Sequence, residues 1–535
     1  MSEVADLAPR IHVLLAMEGV LMLGKLSPPP PTELDRRAFE AYVPRGHCLR
    51  KALQVIPWDD FNEILAPYYS SDQGRPSEPP VLLLKCEYLR YHYNLSDRQV
   101  IERGRTDIAF RYFLQVDLHH LLPDPSSLCL FRGRLGQDGF RKVFDQIVTV
   151  GRQHGLVKDR LRIKDASHVI ADIAVPTTLA LVAQARDRLL ATAEPWEPVR
   201  VEGERVNVEL LRAANASRSN EERLLARVTH LRDILAWVDA LSPPEDAATN
   251  EAWQNLQRAL AVAHKILADQ EDPKAGDRIR STIDPEARRS KHGDWYDGYL
   301  LDITMDADSE LVTAINVLAA NGDEAADAAD LVRQEEAAHG NDIQALSIDG
   351  AGFNGRLLRE LEDADGLAVN TFTPPKKEPE TGIFTPAEFV EDEPQGHVTC
   401  PAGQTSSYRQ RDQHDHSWVY RFKRTTCEGC PLVHCCMQHP PQGTFGKTVR
   451  KNDYEEEYHR ARQKAKTPEY AAVRREHPKI ERKLGEVLNR HGGRRAHYRG
   501  RKKVLIQELM ACTATNIKRL MRLLCVPHMM LVHAR

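Results

Sequence analysis

The sequence predicts a mixed α/β fold with large helical parts. Period-two apolar alternation appears in LRIKDASHVIADIAV from Leu161, in Tyr296 to Met305 and in Glu310 to Leu318, with shorter signals in QALSID and GLAVNTF. Helical periodicity with cap residues fills most of the remainder. Strand signals on both sides of a helix require crossover connections, hence a mixed sheet. At about 150 residues per domain, 535 residues make three or four units, and 41% hydrophobic residues exclude wholesale disorder.

Residues 1–35 form an N-terminal segment with a linker at Pro28 to Pro31. A compact helical region spans 36–155. Pro79-Pro80 opens its apolar helix VLLLKCEYLRYHY, Ser96 with Gln99 makes a capping box, Thr106 can cap a third helix and Asp124-Pro125 starts a fourth bearing Arg132 and Arg134. Short helices with arginines on the last suit a helix-turn-helix DNA reader, and equally a helical scaffold. The strand region occupies 156–375, interrupted by a charged helical insertion at 179–280. Residues 376–450 form a Pro/Glu-rich loop, Pro374 to Pro394 at its start, and a cysteine cluster. Residues 451–535 read as basic helix with a Gly/Arg-rich break at His491 to Gly500.

Charge is segregated. Asp302 to Glu393 holds 22 acids against 5 bases, and Ala471 to Arg535 holds 16 bases against 4 acids. An acidic centre before a basic end suggests a carboxylate site beside a surface for polyanions. The best membrane candidate, Ile11 to Leu23, is too short and carries Glu18, and MSEVADLAPR places acids where a signal peptide needs bases. A cytosolic protein is expected. The thiols scattered singly through apolar segments agree, since reduced cysteine acts there as a small hydrophobe.

Three acids stand out. Asp165 interrupts an apolar strand pattern, Asp349 ends a strand before Gly350, Gly352 and Gly355, and Glu481 sits in the basic helix KIERKLGEVLNR. An isolated strand-end or solvated acid is the ordinary role for each alone. Together, two sheet carboxylates and one helix carboxylate can hold Mg²⁺ or Mn²⁺ while leaving positions for water and phosphate. Two such ions serve in-line displacement at phosphorus.

From about Tyr42 to Leu524 the chain resembles the DDE-type insertion-sequence transposases. The resemblance rests on GRPSEPPVLLLKCEYLRYHYNLSDRQV with RYFL and PDPSSLCLFRGRL, then DASHVIAD, GYLLDITMD, IDGAGF and IERKLGEVLNRHGGRRAHYRGRKKVLIQELMACTATNIKRL. It implies an RNase H-like catalytic core and makes Asp165, Asp349 and Glu481 the metal-binding triad, with Asp172 and Glu486 as alternates for its first and last members. Where relatives carry an Arg before and a Lys after the last Glu, this chain has His477 and Leu488, so phosphate contacts fall to Arg475, Lys483 or Arg490. The loop after Asp349 is one residue longer than the commonest form.

Cys400, Cys427-x2-Cys430 and then Cys435 or Cys436 supply four thiolates in the pattern of a structural zinc, with His434 and His439 spare. Reduced thiols without metal are the alternative. The resemblance favours Cys436. In the basic run from Arg494 to Lys503, Arg494, Arg495, Arg499, Arg501, Lys502 and Lys503 are expected to grip phosphate, and Tyr498 to stack on an unpaired base. These readings describe a transposase that binds the inverted repeats of its element on double-stranded DNA, then cleaves and transfers strands, acting as at least a dimer. The rivals are an inactive, DNA-binding derivative and a metal-dependent nuclease without strand transfer.

Overall fold

The computed structural model describes residues 28–70, 76–377, 383–392, 396–439 and 443–525. Ile11 to Leu23 lies outside the described residues. Among those described, no helix is long and apolar enough to cross a membrane.

Helices form where the caps demand them. The Ser96 hydroxyl accepts from Gln99 N and the Gln99 amide returns the bond, opening helix Asp97–Thr106. Asp124 accepts from Ser126 N and opens Pro125–Gln153. The cap between them is Asp107, not Thr106. Its carboxylate accepts from Ala109 N at 2.9 Å, whereas Thr106 closes the preceding helix with its hydroxyl on Glu102 O. A carboxylate is the stronger acceptor for the unpaired N–H groups of a first turn.

The main sheet is mixed. Strand β1 (Arg162–Ile170) pairs antiparallel with β3 (Asp294–Asp306), β3 pairs antiparallel with β4 (Val312–Ala319), and a short β2 (Arg288–His292) extends the start of β3. On its other side β1 runs parallel to β5 (Ala345–Ser347), and β5 parallel to β6 (Asn370–Phe372). The alternating segment from Leu161 gives one strand, β1. Ile170 N donates to Arg494 O, and Ala496 N donates to Ile170 O, so the end of β1 is closed by the basic loop and the chain departs into the insertion.

One hydrophobic core runs from the N-terminal helices through the sheet to the last helix. It joins Leu89, Phe113 and Phe144 to Val169, Ile303 and Ile315 and to Leu509 and Ile517 of helix Arg501–Leu524. That helix is buried along most of its length between Pro125–Gln153 and β4. The insertion helices Thr178–Ala193, Pro198–Ala214, Asn220–Val238 and Glu251–Glu271 hold a separate core around Leu189, Leu231, Leu256 and Ile266. The cysteine region folds as β7 (Val390–Asp392) with β8 (His397–Thr399), and β9 (Tyr408–Asp412), β10 (Ser417–Lys423) and β11 (Phe445–Asn452), around Phe389, Val398, Tyr420 and Phe422.

Candidate active site

The parallel pairing of β1 and β5 sets Arg162 against Leu346 and Ile163 against Ser347. Asp165, two positions further along β1, and Asp349, two positions past β5, therefore approach the same sheet edge. Ligand sites of open α/β sheets lie at such strand ends. Asp165 accepts from its neighbour Ala166 N at 2.9 Å. Burial raises its carboxyl to about 6, and the charge of Asp349 adds to the rise against the opposing Ala166 bond and Lys164. Asp349 accepts from Ala351 N at 3.0 Å and so opens the glycine turn. Glu481 lies exposed in the first turn of helix Pro478–Arg490, which packs on β1.

Arg474 braces the end of β5 just before Asp349, and sequence reasoning missed it. Its guanidinium donates to Ile348 O at 2.9 Å and to Ser347 Oγ at 3.2 Å, just before Asp349. Burial holds it below the usual arginine range, opposed by Tyr470 and then by the charges of Asp349, Asp165 and Glu481. One half-buried cation thus lies within electrostatic reach of all three acids. Its only sequence signal was position, seven residues before Glu481. Glu324 was missed as well. Burial and then the charge of Asp349 raise it, and it acts in turn on Asp165.

The alternate acids lie elsewhere. Asp172 is exposed past the end of β1, where it acts on His497. Glu486 pairs with Lys518 at 2.8 Å and Lys483 at 3.4 Å; these partners overcome its burial and lower it to about 2. His477, where relatives carry Arg, is buried with Nδ1 3.0 Å from Ser347 Oγ, and burial next to Arg474 lowers it to about 4. A neutral imidazole there supports the strand end rather than gripping phosphate.

Among the described residues no group of three or more His, Cys, Asp or Glu side chains is close enough to form a metal cage. Mg²⁺ needs less than a cage, since it keeps several waters and takes one or two carboxylates. Asp165 and Asp349 are oxygen donors of the kind Mg²⁺ takes, and the charge of Asp349 acting on Asp165 is one that a divalent cation would relieve.

Two of the residues expected on phosphate are corrected. Arg132 is buried, with Nη1 2.5 Å from Glu87 Oε1 and Nη2 on Asp97. Its helix buries Leu128, Phe131 and Phe140 on one face and leaves Ser126, Cys129, Leu130 and Gly133 exposed on the other. Lys483 is buried beside Glu486. Arg134 is half-buried, its guanidinium 4.7 Å from the Tyr69 ring centre. Tyr498 is not free for a base either, because its ring meets Arg132 at 5.5 Å and Arg90 at 5.9 Å.

Arg475, Arg490, Arg495, Arg499, Arg501, Lys502 and Lys503 are exposed. Arg494 is half-buried and donates to His168 O at 2.9 Å. The loop carrying Arg494, Arg495 and Arg499 is fixed by Gln507, whose amide donates to Gly492 O and Arg495 O and accepts from His497 N. Gly492 and Gly500 supply its left-handed corners at φ +79° and +86°. The result is a rigid basic rim beside the end of β1.

Cys400, Cys427, Cys430 and Cys436 line one cavity of about 20 Å³, roughly room for a water-sized body. Lys447 N donates to Cys427 Sγ at 3.3 Å. Burial raises the Cys436 thiol, with Lys447 opposing and the other three thiols adding to the rise. Cys435 is exposed and outside this group.

Two families match the chain. Transposase domain (DUF772) covers residues 37–134, the N-terminal helices. Transposase DDE domain covers residues 399–521, which include the cysteine region, Glu481 and the basic loop. Together they support an insertion-sequence transposase of the DDE type. An uncharacterized protein, ORF8 in the nfe locus of Rhizobium meliloti, is 26% identical over 168 residues, covering 30% of this chain and 80% of that protein. No solved structure matches.

Proposed function

We propose that the chain is an active transposase that binds the inverted repeats of its element, hydrolyses the strand at the element end, and joins the freed 3′-hydroxyl to target DNA. The observation that carries this reading is the placement of Asp165 and Asp349 at matching positions of the paired strands β1 and β5, with Glu481 on the helix packed against β1. The sheet order β4-β3-β1-β5-β6, with the first three strands antiparallel, supports reading 156–375 as an RNase H-like core with its insertion at 179–280, completed by 451–535. Residues 36–155 would contribute to end recognition, and 376–450 would be the cysteine-bearing insertion.

Asp165 and Asp349 would hold Mg²⁺ or Mn²⁺, with Glu481 completing the set. The ions would supply charge neutralisation at phosphorus and a reactive water at neutral pH. Arg474 braces the strand end next to Asp349, and the exposed arginines near it would place the scissile phosphate. Two ends held for joining imply at least two chains. Mg²⁺-dependent nicking and joining of a labelled element-end duplex tests the reading; binding with no nicking would instead favour a DNA-binding derivative, and nicking with no joining a nuclease.

The rim has a separate expected result. Replacing Arg499, Lys502 and Lys503 with Ala should weaken binding to every duplex alike. The slope of log affinity against log salt should flatten by roughly 0.9 for each phosphate that is no longer neutralised. A titration with unchanged slope would remove these residues from the interface.

The four thiols lining the cavity do not form a metal cage as they stand, so one structural zinc on Cys400, Cys427, Cys430 and Cys436 would have to draw them together, tying β8 to the connection between β10 and β11. Elemental analysis should find about one zinc per chain, and Cys427→Ser should lower both occupancy and thermal stability. Purified protein free of zinc yet unchanged in stability by Cys427→Ser would remove the ion from the reading.

A further inference from the structure

The helical insertion contains a cleft that neither the acids nor the cysteines use. It lies between helices Thr178–Ala193, Pro198–Ala214 and Asn220–Val238 and encloses about 780 Å³, within the range of ~300–1,000 Å³ typical of ligand sites. Arg186, Arg212, Arg223 and Arg227 line it. Asp187 neutralises Arg186 at 2.8 Å, and Glu209, also in the wall, stands 3.9 Å from the exposed Arg212. Arg223 and Arg227 instead donate to the main-chain oxygens of Asn215, at 3.1 Å, and Leu179, at 2.6 Å. Those bonds fix the guanidinium groups without removing their charge. Burial, and then the charges of Arg186, Arg212 and Arg223, hold Arg227 below its usual range, so these groups share one space.

The wall also carries two buried acceptors. His230 is 4% exposed and meets Glu204 Oε2 through Nε2 at 2.9 Å. With the proton on Nε2 facing that carboxylate, Nδ1 is left as an acceptor. Among the described residues Nδ1 has no partner, and neither does the buried Oδ1 of Asn215. Buried polar atoms without partners point to an absent one. No Phe, Tyr or Trp lines the cleft, so it offers no stacking surface for a base.

We propose that this cleft binds a phosphate group together with a nearby hydroxyl, the phosphate on Arg212, Arg223 and Arg227 and the hydroxyl donating to His230 or Asn215. Guanidinium groups suit phosphate because they present paired donors in a fixed plane. A free nucleotide and a DNA strand end both carry this chemistry. The inference does not rest on the catalytic acids.

The test is calorimetric titration of the full chain with deoxyadenosine triphosphate and, separately, with a duplex of unrelated sequence bearing free 3′-hydroxyl ends. Arg223→Ala with Arg227→Ala should weaken one of them by about tenfold or more. Loss confined to the triphosphate identifies a nucleotide site; loss confined to the duplex identifies a strand-end site. Because those two arginines also bond main-chain oxygens, the exposed Arg212→Glu provides a charge reversal that leaves the main chain alone, and it should give a loss of the same sign. Wild-type affinity for both probes in Arg212→Glu, or no binding of either by the unaltered chain, overturns the proposal.

Discussion

Asp165→Asn, Asp349→Asn and Glu481→Gln should each reduce Mg²⁺-dependent nicking of an element-end duplex by on the order of a thousandfold or more, with end binding preserved. The magnitude follows from the several kcal/mol that metal ions contribute to transition-state charge, at about 1.4 kcal/mol per factor of ten. The folded state should tolerate all three changes. Glu481 is exposed, and Asp165 sits where burial already disfavours its charge. Asp172→Asn is the matched control, because Asp172 is exposed beyond the sheet edge and should leave nicking near its original rate. Gel-shift and nicking assays on the same preparations separate binding from chemistry. Full nicking in any one of the three variants would expel that residue from the site, and loss of nicking in Asp172→Asn would make it the β1 acid instead.

The sheet was legible because its strands alternate strongly. Tyr296 to Met305 and Glu310 to Leu318 correspond to β3 and β4, within a few residues. The positions of Asp165 in a strand and Asp349 at a strand end follow from the same local signal. What no local pattern could supply was the partner of each charge. Arg132 and Arg475 look alike in sequence, yet one is sealed against Glu87, 45 residues earlier, and the other is exposed. Arg474 differs from Arg475 only in facing the strand end. Tyr498 reads as a base-stacking aromatic until two distant guanidinium groups are found against its ring. Long-range pairing decides burial, and burial decides whether an arginine is structure or surface.

Arg132→Ala should destabilise the protein by about 3–5 kcal/mol, the usual cost of stranding one partner of a buried ion pair. Glu87 is fully buried, and burial raises its carboxyl while Arg132 and then Arg90 oppose that rise. Arg90 Nη1 stands 3.9 Å from Glu87, too far to replace the 2.5 Å contact, and its Nε is already engaged by Asp97 at 2.9 Å. The pH dependence has a definite sign. A carboxyl whose folded value lies above its unfolded one takes up a proton on folding, so its contribution is favourable at low pH and is lost as pH rises through the folded value. Removing Arg132 raises that value further, so the deficit in Arg132→Ala should be small near pH 5 and grow toward pH 8. Arg132→Met with Glu87→Leu should recover much of the loss, because both charges leave together and Asp97 keeps Arg90. Thermal unfolding at the two pH values checks this. An Arg132→Ala protein of unchanged stability that bound DNA more weakly, with a flatter salt slope, would return Arg132 to the DNA interface.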